Sequence, residues 1–321
     1  MIINVKIYLY TDKEKHIIVI KMGEDKHKKI GVYIELLRPF TLLAPIIVSS
    51  CVMIASLVYS GKIDMPYTTI LLTVLPASIC FALLNGASNA LNQATDYKED
   101  KLSKPYRPIP KGIITQKEAR NLSFILYISA MLISLTINIT FSLFVLLISA
   151  FSITYSLPPR MKRYLYLNQL WVAIPRGFLG ILGSWSVFGD PFQKLPLAFG
   201  CIAAIFLFGG TATKDILDAE ADKKAGTKTL VNVLGIKKTA LISSVFMVSA
   251  FALIIPLITF NIIESYMYPL AFLVTLSFLI FWLMMNSHKN EKYENTSAWT
   301  LMYATYFIFA ISFAIITISF A

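Results

Sequence analysis

Residues 68–100 read TTILLTVLPASICFALLNGASNALNQATDYKED, an uncharged apolar run over Thr68–Leu91 that passes directly into Asn92, Asp96 and Asp100. About 20 predominantly apolar residues suffice for one helical crossing of a bilayer core. The run is therefore a membrane helix, and its polar sequel is a helix end that meets water. Helical positions four apart differ by only about 40° around the axis. If the helix continues, Asn92, Asp96 and Asp100 share one face.

Runs of the same kind recur along the chain, over Phe40–Ser60, Thr68–Leu91, Asn121–Asn138, Phe141–Ser156, Asn168–Phe188, Pro196–Thr213, Thr239–Phe260, Met267–Met285 and Ala298–Phe320. Only the tight break Asn138-Ile139-Thr140 separates the third from the fourth, which reads as a helical hairpin. With 56% hydrophobic and 15% charged residues, most of the chain belongs in lipid. The expected fold is all-α and polytopic, with about nine transmembrane helices surrounding a cavity. Residues 1–37 form a polar N-terminal tail, and 38–321 a single transmembrane domain. Within the tail, Ile-Ile-Val-Ile at 17–20 suggests a short strand, and Met22 is a second possible initiator. Lys and Glu interrupt every apolar stretch before Arg38, so no cleaved signal peptide is expected.

The formal net charge of +11 does not read as a nucleic-acid surface, because the basic residues recur in alternate loops. Lys98, Lys101, Lys104, Arg107, Lys111, Lys117 and Arg120 follow the second run; Arg160, Lys162 and Arg163 follow the fourth; Lys223, Lys224, Lys228, Lys237 and Lys238 follow the sixth. The eighth connection carries Lys289 and Lys292, whereas Lys62 and Lys194 are the sole basic residues of the first and fifth connections and the seventh has none. Nine helices with a cytoplasmic N-terminus satisfy the positive-inside rule at every loop. Cys51, Cys80 and Cys201 lie inside apolar runs, and His16, His27 and His288 are scattered over polar segments, which leaves no zinc or redox motif.

A second acidic cluster closes the sixth run, where Lys214-Asp215-Ile-Leu-Asp218-Ala-Glu-Ala-Asp222 places three aspartates within about 60° of one another on a helix. Carboxylates crowded on one face near a membrane boundary repel each other and lose hydration, so a cation is needed. Hard oxygen ligands favour Mg2+, which is commonly held by one or two carboxylates together with phosphate oxygens. The plainer alternative is a pair of solvated helix ends neutralised by Lys98, Lys101, Lys223 and Lys224.

At these residues the sequence resembles the UbiA superfamily of intramembrane prenyltransferases, whose hallmarks are an N-x-x-x-D-x-x-x-D motif and a second D-x-x-x-D motif. The resemblance extends through Lys104-Pro-Tyr-Arg107-Pro-Ile-Pro-Lys-Gly112, Tyr155-Ser-Leu-Pro-Pro159 and Gly226-Thr-Lys-Thr-Leu230, and so spans most of 35–236. One departure is Gln93, where many members carry Asp. The resemblance implies transfer of an isoprenoid chain from a prenyl diphosphate to a lipophilic or aromatic acceptor, with Mg2+ as cofactor. It places metal on Asp96, Asp100, Asp215, Asp218 and Asp222, makes Asp96, Asp100, Asp218 and Asp222 the catalytic set, and adds Asn92 as a diphosphate ligand.

An allylic diphosphate ionises only if charge on the departing oxygen is neutralised as the carbon–oxygen bond stretches. Lys104, Arg107 and Lys162 are the loop cations best placed for that, and Arg38 in Leu-Arg-Pro-Phe is suggested by the family. Against each stands plain topology, since cytoplasmic loops are basic regardless of catalysis. Tyr155 is the aromatic candidate for stabilising the allylic cation, although Phe and Tyr also serve as packing and interfacial anchors. Arg176 interrupts the fifth run and must face a cavity or a partner. Gly177, Gly180 and Gly183 permit close helix approach, and Pro45, Pro175 and Pro256 are candidate kinks. Relatives prenylate quinone-precursor aromatics, tetrapyrroles or glycerol-phosphate lipids, and the acceptor stays open at this point. So does a different class, a divalent-cation or proton-coupled transporter, because intramembrane carboxylates also mark ion paths.

Overall fold

A computed structural model describes residues 5–12, 15–22, 26–224, 226–286 and 296–320 of the chain. A hairpin comes first: β1 (Val5–Asp12) pairs antiparallel with β2 (Lys15–Met22), which contains the strand expected at 17–20. Helices follow as α1 (Lys26–Leu37), α2 (Pro39–Tyr59), α3 (Tyr67–Thr95), α4 (Tyr97–Ser103), α5 (Gln116–Leu135), α6 (Ile139–Ser156), α7 (Leu167–Ala173) and α8 (Leu179–Trp185). The second half contains α9 (Lys194–Gly210), α10 (Asp215–Lys224), α11 (Leu230–Leu234), α12 (Ile236–Ala252), α13 (Ile254–Thr259), α14 (Val274–Met285) and α15 (Ser297–Phe320). His288, Lys289 and Lys292 lie outside the described residues.

Among the described residues, eight of the expected runs form helices long and apolar enough to cross a bilayer. The chain is a polytopic integral membrane protein. The fifth run departs from expectation, being α7 and α8 joined by a π-helical turn over Ile174–Phe178. Pro175 lacks an N–H, and its ring crowds the preceding turn. The helix widens there, so that the N–H of Leu179 donates to the carbonyl of Ile174. The hairpin expected at 138–140 is present: Asn138 caps α6, its Oδ1 accepting from Phe141 N at 2.8 Å.

The long helices close into a circuit in which α2 packs on α3, α3 on α5, α5 on α6, α6 on α8, α8 on α9, α9 on α12, α12 on α14, α14 on α15, and α15 back on α2. Two apolar cores meet along α2 and α8, one holding Phe199, Phe206, Phe251 and Phe309, the other Phe81, Phe141, Phe144 and Leu182. In lipid the helices gain little from hiding apolar surface, so close packing holds them together. Phe199 stacks between Phe309 and Phe313 with ring centroids 4.2 and 3.7 Å away. A Cβ on Gly177 would come within 2.6 Å of the Ala204 backbone, and one on Gly183 within 3.0 Å of Phe144 Cβ. Gly180 faces its own helix, nearest Pro175 O. Leu71, Leu72 and Leu75 of α3 and Leu143, Leu146 and Leu147 of α6 point outward, as lipid-facing residues do.

At one end of the bundle Lys62 donates to Phe188 O at 2.6 Å and Asn138 Nδ2 to Ser186 O at 3.0 Å. The basic loops gather at the other. There α1, the last part of the expected tail, docks on the bundle through the fully buried Leu36, which packs with Ala90, Ala94, Ile109, Ile114 and Ala119. Between α1 and α2 the chain turns at Arg38, a non-glycine residue with φ of 56°. The break leaves the carbonyls of Leu36 and Leu37 without helical partners, and Pro45, which has no N–H, leaves that of Thr41 without one. Three side-chain amides one turn apart on α3 supply them: Gln93 Nε2 donates to Leu36 O at 2.7 Å, Asn89 Nδ2 to Leu37 O at 2.9 Å, and Asn85 Nδ2 to Thr41 O at 2.9 Å.

Candidate functional site

Both acidic motifs lie at this end and touch. Helix α4 packs on α10, and Lys104, on the loop that follows the first motif, donates to both carboxylate oxygens of Asp218 in the second, at 2.6 and 2.5 Å. The first motif does not run as one straight helix, because α3 ends and α4 begins at Asp96 (φ −100°, ψ 24°). Helical spacing nonetheless survives the break, with Asp96 N donating to Asn92 O at 2.9 Å and Asp100 N to Asp96 O at 2.7 Å.

Each carboxylate of the first motif has a cation. Arg107 Nη1 donates to both oxygens of Asp100 at 2.9 Å. Burial pushes the Asp100 carboxyl up, and the Arg107 guanidinium opposes that. Asp96 Oδ1 accepts from Lys162 and, at 3.1 Å, from Arg160 Nη2. Lys162 Nζ also donates to Asn92 Oδ1 at 2.9 Å. Burial pushes the Lys162 ammonium down, with the Asp96 carboxylate opposing.

The second motif is reached through a relay of polar contacts. Lys214 Nζ donates to the Tyr155 hydroxyl at 3.1 Å, that hydroxyl donates to Asn168 Oδ1 at 2.9 Å, and Asn168 Nδ2 approaches Asp215 Oδ2 at 3.4 Å. The Tyr155 ring lies beneath two ammonium groups, Lys214 at 5.6 Å and Lys162 at 5.9 Å from its centroid. Asp215 is buried and Asp218 partly exposed. The Asp222 carboxylate makes no hydrogen bond or ion pair among the described residues, although it feels the charges of Asp215 and Asp218.

Beneath the motifs opens a cavity of about 240 Å³. Arg38, Asn92, Lys104, Arg107, Tyr155, Lys214 and Asp218 are among its polar lining, and Phe81, Leu84, Ile148, Leu207 and Met302 form part of its apolar walls. Of the residues singled out in the sequence, Asp96, Asp100, Asp215, Asp222 and Lys162 lie behind this lining, with Lys162 reaching it through Asn92. No three His, Cys, Asp or Glu side chains converge among the described residues, because basic groups stand between the carboxylates. Of the two motifs, Asn92 and Asp218 face the cavity, and both offer hard oxygens.

Sequence reasoning did not single out Arg160, Lys214 or the amides of Asn85 and Asn89, and it noted Gln93 only as a departure from the family. Lys214 left a usable signal, a lone cation closing the apolar run that precedes Asp215. Arg160 left none, since nothing separates it from the neighbouring loop cations.

The UbiA prenyltransferase family model matches residues 42–313. The chain belongs to the UbiA prenyltransferase family. Its similarity extends to digeranylgeranylglyceryl phosphate synthase of Methanosphaera stadtmanae, 27% identical over 75% of this chain and 83% of the relative. The synthase of the same description from Korarchaeum cryptofilum is 30% identical over 69% and 73%. Among solved structures, a UbiA homologue from Archaeoglobus fulgidus bound to GPP and Mg2+ shares the fold, with a TM-score of 0.63 at 22% identity over 90% of this chain and 99% of that one. As a UbiA-family prenyltransferase, the protein moves an isoprenoid chain from a prenyl diphosphate to an acceptor, which sets the transporter reading aside. The family departure at Gln93 has a structural account: its side chain is buried against Leu36 O and does not face the cavity.

Proposed function

We propose that this protein alkylates a hydroxyl of a glycerol-phosphate lipid with a long prenyl diphosphate, with Mg2+ as cofactor. The observation that carries the reading is the Lys104–Asp218 contact, which joins both acidic motifs over one cavity. The acceptor class is favoured by the glycerol-phosphate synthases among the relatives. Nine crossings, counting the 167–185 segment, would put the basic loops and both motifs on the cytoplasmic face. The unit concerned is 38–321, with 1–37 preceding it.

The donor set suits Mg2+: five aspartates in the two motifs, with no histidine or cysteine beside them, and Asn92 and Asp218 bringing motif oxygens to the cavity. Asp96 and Asp100 would hold metal at the first motif, with Asn92 toward the diphosphate, and Asp215, Asp218 and Asp222 at the second. Bound there, Mg2+ supplies charge to the departing diphosphate. Lys104, Arg107, Lys162 and Arg38 bring donors to the phosphate oxygens. When diphosphate arrives, Lys104 exchanges a carboxylate for a phosphate, and Asp218 is freed. The bond between the donor's first carbon and oxygen then breaks, and the diphosphate leaves with the electron pair. The ring of Tyr155 faces the allylic cation, and the apolar walls exclude water. The acceptor oxygen bonds that carbon and its proton is released.

The test is turnover by the purified chain in nanodiscs with geranylgeranyl diphosphate, Mg2+ and geranylgeranylglyceryl phosphate, read by mass spectrometry of the lipid product. Product formed from a 4-hydroxybenzoate or tetrapyrrole acceptor, and none from the glycerol phosphate, would overturn the assignment of the acceptor.

A further inference from the structure

Four cations at the motif end already have carboxylate partners: Lys104 has Asp218, Arg107 has Asp100, Lys162 has Asp96, and Arg160 has Asp96 and Glu99. Two others lining the cavity do not. Among the described residues neither Lys214 nor Arg176 has a carboxylate within ion-pair distance. Lys214 is held by the Tyr155 hydroxyl, and Arg176 Nη1 by the Tyr303 hydroxyl at 3.3 Å. Both line the same cavity, where Lys214 feels the Asp215 carboxylate beyond ion-pair distance. A cation without an ion pair at membrane depth, as Arg176 is, is costly and marks a functional group rather than a packing one.

Arg176 is placed for a ligand distinct from the diphosphate. It sits in the π turn, eight residues past Asn168, which is about 12 Å along the helix. Asn168 marks the motif end through Asp215, while Ser186 marks the opposite end through Asn138, so Arg176 lies near mid-depth. A cation there is too far from either surface to serve as a snorkelling anchor. The widened turn also offers its backbone: Tyr306 donates to Arg176 O at 3.0 Å, which fixes the turn against α15. Helical side chains lean toward the N-terminus of their own helix, here toward the motifs. The guanidinium therefore reaches back toward the diphosphate within the same cavity.

We infer that Arg176, with Lys214 and the Tyr303 hydroxyl, forms a second anion subsite that holds the phosphate monoester of the acceptor lipid while its hydroxyl meets the donor carbon. Resting on the acceptor class proposed above, this assigns the residues that recognise it. A dianionic monoester matches two cations, and a guanidinium fork can bind two of its oxygens at once. A carboxylate acceptor would leave one charge unmet.

The experiment uses the full chain in phosphatidylcholine nanodiscs and compares wild type, Arg176→Gln and Arg176→Lys. Dissociation constants are measured for geranylgeranyl diphosphate with Mg2+ and, separately, for geranylgeranylglyceryl phosphate. Expected for Arg176→Gln is acceptor binding weaker by about ten- to a hundredfold with donor binding unchanged, the latter also reporting an intact fold. Arg176→Lys recovers part of the loss. Unchanged acceptor binding in Arg176→Gln, with wild type still using this acceptor, overturns the subsite and leaves the acceptor class standing. Equal losses for donor and acceptor place Arg176 in the diphosphate site and overturn the inference likewise. A wild-type protein that binds donor but not this acceptor overturns both.

Discussion

Lys104 and Asp218, 114 residues apart in the chain, meet at 2.5 Å across the mouth of the cavity. Each side chain thereby holds the other away from a position in which it would repel its own neighbours. The pair is partly exposed, 14% for Lys104 and 28% for Asp218, so it adds little to stability. Its value lies in placing an ammonium and a carboxylate where a diphosphate and its metal enter. Asp218→Asn and Lys104→Ala are each expected to lower turnover about a hundredfold or more, with small changes in thermal midpoint. Because the residues act as a unit, the double variant should lose far less than the product of the single losses. Strictly multiplicative losses in a double-mutant cycle would show that the two act independently.

Removal of metal offers a second check. Mg2+ keeps several of its waters and is held by only one or two carboxylates, so it exchanges readily, and the substrate phosphate completes the coordination. Chelation with EDTA is expected to abolish turnover, and added Mg2+ to restore it fully. Donor binding measured without Mg2+ should weaken at least tenfold. Undiminished product formation in excess chelator would exclude metal from the reaction.

Tyr155 combines two roles that substitutions can separate. Its hydroxyl links Lys214 to Asn168, and its ring faces two ammonium groups and the cavity. Tyr155→Phe keeps the ring and removes the link, for which about a tenfold loss in turnover is expected. Tyr155→Leu removes the ring as well and should cost roughly another tenfold if the aromatic face stabilises an allylic cation. Equal rates for the Phe and Leu variants would confine the role of Tyr155 to its hydroxyl.

The sequence carried the membrane fold because its signal is long and redundant: apolar runs of one crossing, alternating with basic and bare loops. It also placed both acidic motifs at one end, since each closes an apolar run and precedes a basic loop. Pairing was not legible. Lys104, Arg107, Arg160 and Lys162 are alike as members of basic loops, and only tertiary contact distinguishes the partner of Asp218 from those of Asp96 and Asp100. Pro175 announced a lost N–H, yet nothing local shows that a π turn would absorb it. Leu36 read as part of a polar tail because its apolar partners lie on α3, α5 and the intervening loop.

The π turn depends on close approach by α9. With a Cβ position 2.6 Å from backbone atoms of Ala204, Gly177 cannot take a side chain without displacing a main chain. Gly177→Ala is expected to lower stability by about 1–3 kcal/mol, read as a reduced thermal midpoint in detergent. Gly183→Ala meets Phe144 Cβ at 3.0 Å, a less severe overlap than 2.6 Å against a main chain, and should cost less. The reverse ranking would mean that α8 rather than the π turn is the tighter seam.

The amide ladder on α3 leads to the last prediction. Asn85, Asn89 and Gln93 bind carbonyls on either side of Arg38, and Asn85 and Asn89 also line the cavity. The left-handed turn at Arg38 carries strain that the surrounding contacts must offset. Replacing Gln93 by Leu leaves Leu36 O buried without that donor, at a cost of about 1–3 kcal/mol. If the ladder positions Arg38 for phosphate, the folded variant should also bind donor several-fold more weakly, and Arg38→Gln should lower donor affinity to a similar degree. Combining the two substitutions then adds little further loss in binding, since both act through one guanidinium. Additive losses would mean that Gln93 stabilises the bundle without placing Arg38.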